Sequence, residues 1–538
     1  MHLFIDSDKI LLMKKISKVG IILSIVLSIC FLFGYEINKH HVIDRLFYSK
    51  NIIKTFFAFI IITFLIYLFI ITLYKLLDKL KSDNSNNKLY NFIFEENPLL
   101  KIFIIFLIFS LPIIIFYYPG PVHWDGLQEL DYFYNIMPIS NHHPVFPTLL
   151  MGVSMKLGRL IYNDNFGIFL YTFPQMIFSC FTFAYIFKFF KEINTPKVIR
   201  VITFLFFLLN PVWYINGYTI VKDTYYYLFF VWFLIYYYKF YFDKSKKNTL
   251  LLLLFSLCVV LFRNNGIYIV ASSLIVFLFK KTHRKTSLIF LIIFLLFQFG
   301  YKKALNYFDV EPSNIRETLS VPIQQSARYI KYYSYEFTDK EKKYVENLYR
   351  MSIKDIKKKY DPELSDPVKF PWLCDTKEDL ITYFKFWFKG LKKHPKVYID
   401  AFLENYYGYY YPLKKDYKDG VAWFIVVYNK KVNTGYFNLH YLKAFKLERK
   451  FITNFTNKLK TTKGIGLVYN TGVYTWLLLI LIGYSVYKKR YKNIIFSLPI
   501  LLTLAFCFLS PVNAYLRYMN PIIVVIPIYL AICLKKEN

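Results

Sequence analysis

The sequence predicts an all-α polytopic membrane protein of about twelve transmembrane helices carrying a mostly helical outer domain. Three observations lead there. The 538 residues are 56% hydrophobic and 21% aromatic. Apolar runs of about 17–25 residues recur along the chain, each long enough to cross ~30 Å of hydrocarbon. Lys and Arg fall in short clusters between those runs, as orientation signals do.

By length and flanking charge the helices fall near 19–36, 52–74, 100–118, 164–187, 201–217, 224–242, 248–262, 266–280, 286–300, 470–487, 493–509 and 516–534. The first follows Lys14, Lys15 and Lys18, and residues 36–51 offer no small-residue cleavage site, so it reads as a retained helix rather than a removed signal. Alternate connections hold the basic clusters: Lys188, Lys191, Lys197 and Arg200, then Lys280, Lys281, Arg284 and Lys285, then Lys488, Lys489 and Arg490. The positive-inside rule therefore places both termini in the cytoplasm. The formal net charge of +33 is spent on this orientation, which argues against a nucleic-acid partner. Four of the six cysteines lie within apolar runs, so no disulfide framework is available.

Between the ninth and tenth helices, residues 301–469 are too long for a connection and carry helix-like spacing, which predicts a separate extracytoplasmic helical domain. The division is 1–98, an N-terminal two-helix extension; 99–300, a membrane core with functional outer loops; 301–469, the outer domain; and 470–538, the C-terminal transmembrane helices. Within the outer domain, the Tyr-rich run at 406–412 (YYGYYYP) fits either headgroup contact or plain packing. The polar run at 81–88 (KSDNSNNK) reads as a cytoplasmic loop.

With orientation set by charge, the unusual polar clusters all fall on the outer side. The first holds His123, Asp125 and Glu129, followed by His142 and His143. A carboxylate there suits a general base toward a hydroxyl, or a ligand for a hard cation such as Mg2+ or Mn2+, with Asp125 and Asp223 the candidate ligands. The plainer alternative makes Asp125 the cap of a short helix. The second cluster, Lys222 and Asp223, opens the sixth helix, where the dipole and free N–H groups attract phosphate; a capping Asp223 with Lys222 reaching to headgroups is the alternative. Arg263 and Arg517 sit at helix edges where a guanidinium needs an anion, and Arg328 lies beside the paired amides Gln324 and Gln325. The chain lacks a Walker loop, a dinucleotide glycine pattern, an HExxH helix and a Gly-x-Ser-x-Gly elbow.

An acid in the first outer loop, a second in the next and Arg at outer helix ends resemble the GT-C superfamily of membrane glycosyltransferases, which use polyprenyl-phosphate sugar donors. A closer likeness is to a bacterial group of polytopic proteins sharing HWDGLQE, NHHP, VKDT, FRNNG, SVPIQQSAR and SPVNAYLRYMNP, over most of the chain from Leu99 onward. The resemblance implies Asp125 as the base or metal-associated carboxylate and Asp223 as the second acid; taken together with the outer-face clustering it points to His142 or His143 orienting the acceptor or sharing a cation, and to Lys222, Arg263, Arg328 and Arg517 on the lipid phosphate, with His123, Glu129, Gln324 and Gln325 in support. Asp125 is followed by Gly126 rather than by a second acid, a departure from the commonest superfamily pattern that bears on the metal. The implied partners are a lipid-linked sugar donor, a cell-envelope glycan or lipid acceptor, and the membrane. An exporter or flippase of lipid-linked glycans and a noncatalytic envelope scaffold are the other classes the sequence permits.

Overall fold

The structure, a computed structural model, describes residues 7–80, 87–414 and 436–535, so most of the polar run at 81–88 lies outside the described residues. Among the described residues every regular element is helical, and β pairing is confined to isolated bridges. Each of the twelve apolar runs forms helix. Among the described residues, six helices are long and apolar enough to cross a membrane, or up to seven if a bent pair counts as one span.

The N-terminal extension comprises α1 (Ser7–His40), α2 (Ser49–Lys79) and the short α3 (Lys88–Phe94). The Tyr74 hydroxyl of α2 donates to the Ile480 carbonyl at 2.9 Å, tying this extension to the C-terminal helices. Next come α4 (Pro98–Phe116), α5 (Trp124–Phe133), α6 (Val145–Ile161) and α7 (Asp164–Glu192). α8 (Lys197–Leu209) and α9 (Pro211–Gly217) meet at a 59° bend at Asn210, where Pro211 has no N–H to continue the helix. α10 (Lys222–Phe242), α11 (Lys246–Phe262), α12 (Gly266–Ile275) and α13 (Lys281–Tyr307) follow. α10 is rich in Tyr and buried nearly all round, as an apolar helix at the centre of a bundle must be.

α13 runs through the expected domain boundary at 300, before the segment that is called the outer domain after its expected side. That domain contains α14 (Ser320–Tyr333), α15 (Asp339–Tyr349), α16 (Ile353–Lys359), α17 (Asp366–Lys369), α18 (Lys377–Lys393) and α19 (Pro395–Tyr406). It has its own core around Ile323, Tyr349, Trp372 and Tyr383, separate from the main core. Thr376 and Asp379 form a capping box at the start of α18. The chain then returns through α20 (Lys446–Thr461), whose Ile452 and Leu459 pack on the main core, and ends in α21 (Thr471–Tyr487), α22 (Lys492–Cys507) and α23 (Leu516–Leu534).

The Tyr-rich run at 406–412 resolves to packing. Tyr406, Tyr407, Tyr409 and Tyr411 are buried, and the hydroxyls of Tyr406 and Tyr409 donate to the carbonyls of Ser510 and Val512 at 2.9 and 3.1 Å. Ser365 N donates to the Pro511 carbonyl (2.9 Å) and Asn513 N to the Glu363 carbonyl (3.0 Å). The outer domain thereby clamps the loop that leads into α23. The opposite end of the bundle gathers basic side chains onto few acids, with Lys488 on Asp78 (2.8 Å), Arg200 on Glu95 (2.8 Å) and Lys239 on Glu192 (2.6 Å).

Candidate functional site

Two loops distant in sequence are stitched together before any charge is considered. Ile220 N donates to the Pro121 carbonyl at 2.9 Å, and Val122 and Ile220 form a parallel bridge. From within α7, Thr172 donates to the Pro119 carbonyl (2.7 Å) and Gln175 to those of Gly217 and Thr219 (3.1 and 2.7 Å). Gly126 makes the approach possible: a Cβ there would lie 2.3 Å from the Ile220 carbonyl oxygen, and backbone cannot yield as a side chain can. Gly126 thus has a packing reason.

The join sets the first turns of α5 and α10 side by side, and both carry an acid where the helix dipole favours one. Neither acid is a cap. His123 caps α5 by accepting from Asp125 N at 3.2 Å, and Val221 precedes α10 with no side-chain cap. Both carboxylates instead meet Arg517, at the start of α23. Its Nε donates to Asp223 Oδ2 at 2.9 Å, and its Nη2 lies 2.6 Å from that oxygen and bonds Asp125 Oδ2. Lys222 does not reach toward headgroups. It is buried, donating to Glu129 Oε1 at 2.9 Å and lying 3.5 Å from Asp125 Oδ2. Arg263, the residue closing α11, stands 3.5 Å from Asp223 Oδ1 with its guanidinium 5.2 and 5.0 Å from the Tyr226 and Tyr518 ring centres. Asn264 donates to the Asn141 carbonyl at 2.8 Å, holding this corner to the His142–His143 loop.

Three carboxylates and three cations thus form one network in which Asp223, Glu129, Lys222 and Arg517 are buried. Asp125 and Arg263 keep side-chain exposures of 23% and 21%, so they form its accessible edge. Burial alone would raise the Asp125 carboxyl, but the Arg517 guanidinium and the Lys222 ammonium outweigh it and hold the group well below the usual carboxylate range. Glu129 is wholly buried, and despite Lys222 its carboxyl is pushed up to about 7. Burial, with Lys222 beside it, drives His143 well below its ordinary value, so the ring is neutral.

The partners of His143 then assign its tautomer. Nδ1 faces the Lys222 ammonium at 2.7 Å and accepts, so Nε2–H donates to Gln128 Oε1 at 3.1 Å, and Gln128 Nε2 donates to the Tyr132 hydroxyl at 2.9 Å. His143 positions Lys222 rather than taking protons. The His142 ring lies 4.5 Å from that of His143, tilted by 54°, and faces Glu317 of the outer domain, which Lys369 holds at 2.8 Å.

Other expected members lie elsewhere. Arg328 is in the outer-domain interior, paired in bidentate fashion with Glu404 and 3.9 Å from Asp400. Gln324 and Gln325 donate to the carbonyls of Asp361 (2.5 Å) and Tyr398 (3.1 Å), which are fold contacts. Sequence reasoning passed over Thr172, Gln175, Tyr226 and Tyr518. For Gln175 a signal existed, since an amide inside an apolar run is costly to bury without partners.

Among the described residues no group of three or more His, Cys, Asp or Glu side chains could hold a metal ion. Asp125 and Asp223 turn toward Arg517 instead.

Neither the comparison with curated proteins nor that with solved structures finds a match. A family profile matches residues 135–538, so Lys222, Asp223, Arg263 and Arg517 fall inside the match and Asp125 and Glu129 precede it. The chain belongs to DUF6020, a family of unknown function.

Proposed function

We propose that this protein is a membrane glycosyltransferase that moves a sugar from a polyprenyl-phosphate-linked donor to a cell-envelope acceptor on the outer face. One observation carries the reading: Asp125, Lys222, Asp223, Arg263 and Arg517, spread over nearly 400 residues, meet in a single network at the end of the bundle that bears the outer domain. Such an arrangement is costly to desolvate and adds little stability that apolar packing could not supply, which favours a role in chemistry.

In this reading Asp125 accepts the proton of the acceptor hydroxyl as its oxygen bonds to the sugar's anomeric carbon. The bond from that carbon to the lipid phosphate breaks, and the phosphate leaves with the electron pair. Arg263, the most exposed cation of the network, meets the phosphate first, and Arg517 and Lys222 complete its neutralisation. A phosphate that draws Arg517 toward itself releases Asp125 from the charge that depresses its basicity, coupling donor binding to base strength. The neutral His143 keeps Lys222 aimed at the acids throughout.

The same reading takes all twelve apolar helices as spans, with both termini inside and the 301–469 domain outside. It is supported by the separation of the basic connections from the acid-bearing end. The bend between α8 and α9 is the one feature that favours the exporter or flippase alternative, since transporters use broken helices. Comparing lipid-linked sugars and envelope glycans between wild type and a deletion strain decides among these. A transferase predicts a lipid-linked sugar accumulating at the outer leaflet together with loss of one glycan decoration. Accumulation in the inner leaflet identifies an exporter, and unchanged pools of both refute the proposal.

A further inference from the structure

α20 combines features that the proposed chemistry does not use. One face is anchored: Arg449 Nη1 donates to the Phe116 carbonyl at 2.9 Å, the Tyr117 hydroxyl donates to the Arg449 carbonyl at 3.1 Å and lies 3.1 Å from Thr453 Oγ1, and the Phe116 and Phe445 rings meet at 5.3 Å. These contacts fix the helix across the last turn of α4. The opposite face presents Leu447, Phe451 and Phe455, one turn apart, at 77%, 71% and 47% exposure. The two Phe rings stack on each other at 6.3 Å. Five basic side chains (Lys446, Arg449, Lys450, Lys458, Lys460) stand against the single acid Glu448.

An apolar edge flanked by lysines needs a surface that is apolar at one depth and negative at the next. The molecule indicates where that surface lies. α4 is long and apolar enough to cross a membrane, and its outward side chains, including Ile108, Leu111 and Ile115, are exposed at 55%, 43% and 48%. α20 is held at the end of that span, where the Phe116 and Phe445 rings meet, so its exposed apolar edge belongs to a helix fixed at the end of a membrane-length helix.

We infer that α20 is an interfacial helix seated in an anionic lipid leaflet, with Leu447, Phe451 and Phe455 in the acyl boundary and Lys446, Lys450 and Lys458 on lipid phosphates. Its anchor, Tyr117, opens the loop that ends at His123 and leads into the Asp125 turn of α5, so the seated helix sets the depth of that loop in the membrane. The inference holds whatever reaction the network performs.

Hydrogen exchange measured on the full chain tests it, with the protein in nanodiscs of phosphatidylcholine alone and in nanodiscs containing phosphatidylglycerol. Amides of residues 446–461 are expected to exchange more slowly in the anionic discs by roughly tenfold or more, since each of the three lysines adds attraction to an anionic surface. The variant Lys446→Glu/Lys450→Glu/Lys458→Glu keeps the apolar edge and the anchor. It should lose the difference between lipids while protection of α7 and α10 stays unchanged. Equal exchange in both lipids for the wild type overturns the inference. So does protection that rises with protein concentration or appears equally in detergent, because either result assigns the edge to a second copy or to the fold itself.

Discussion

Arg517 is the residue whose removal should damage the network most. Its guanidinium alone touches both acids, and Asp223 keeps only 3% of its side chain exposed. Breaking a buried ion pair by deleting one partner costs about 3–5 kcal/mol. Here Arg263 and Lys222 remain 3.5 Å from Asp223 and Asp125, which puts Arg517→Ala near the lower end of that range. Thermal unfolding in detergent, followed by near-ultraviolet circular dichroism, should show Tm lowered by roughly 3 °C. Arg517→Lys should fall between, because an ammonium reaches one carboxylate but cannot bridge two. Neutralising the orphaned acid should recover part of the loss: Arg517→Ala/Asp223→Asn should be more stable than the sum of the single effects by about 1–3 kcal/mol. A Tm for Arg517→Ala equal to wild type, or strictly additive behaviour in the double variant, would refute the bridging role.

Gly126→Ala should destabilise by about 1–3 kcal/mol and separate the Asp125 loop from Lys222, since the new Cβ meets backbone at Ile220; a crosslink between cysteines placed at 122 and 220 should form more slowly than in the parent, and an unchanged rate would count against the close approach. The Glu129 carboxyl, raised to about 7 in the fold, binds a proton that the unfolded chain releases near its ordinary value. Its contribution is therefore full below about pH 4.5 and is lost as pH rises through 7. Glu129→Gln should flatten the fall in wild-type Tm between pH 5 and 8, and a variant that declines just as steeply would show that another group titrates.

The helices were legible because a bilayer imposes length and apolarity on every crossing, and each of the predicted runs is helical. The number of true crossings was less legible. Six helices meet the length and composition needed, and the Tyr-rich α10 and the 17-residue α11 and α21 do not. The convergence of Asp125, Lys222, Asp223, Arg263 and Arg517 was readable from their common place at helix ends on one side. Their pairing was not, since a sequence cannot show that Arg517 would stand between two acids. Arg328 looked equivalent to the other arginines by residue type, yet its partner Glu404 is 76 positions away, within a fold that local spacing does not encode. Likewise His142 and His143 are neighbours in sequence, and only the contacts of Lys222 and Gln128 separate a fixed, neutral imidazole from one facing the outer domain.

Sugar transfer in the deletion strain complemented with Asp125→Asn tests the central claim most directly. Asn keeps the size of Asp125 and removes the charge that would accept the proton. With expression and Tm near wild type, the account predicts a loss of roughly 100-fold or more in transfer and accumulation of the lipid-linked donor. Transfer at the wild-type rate by a folded Asp125→Asn protein would contradict it.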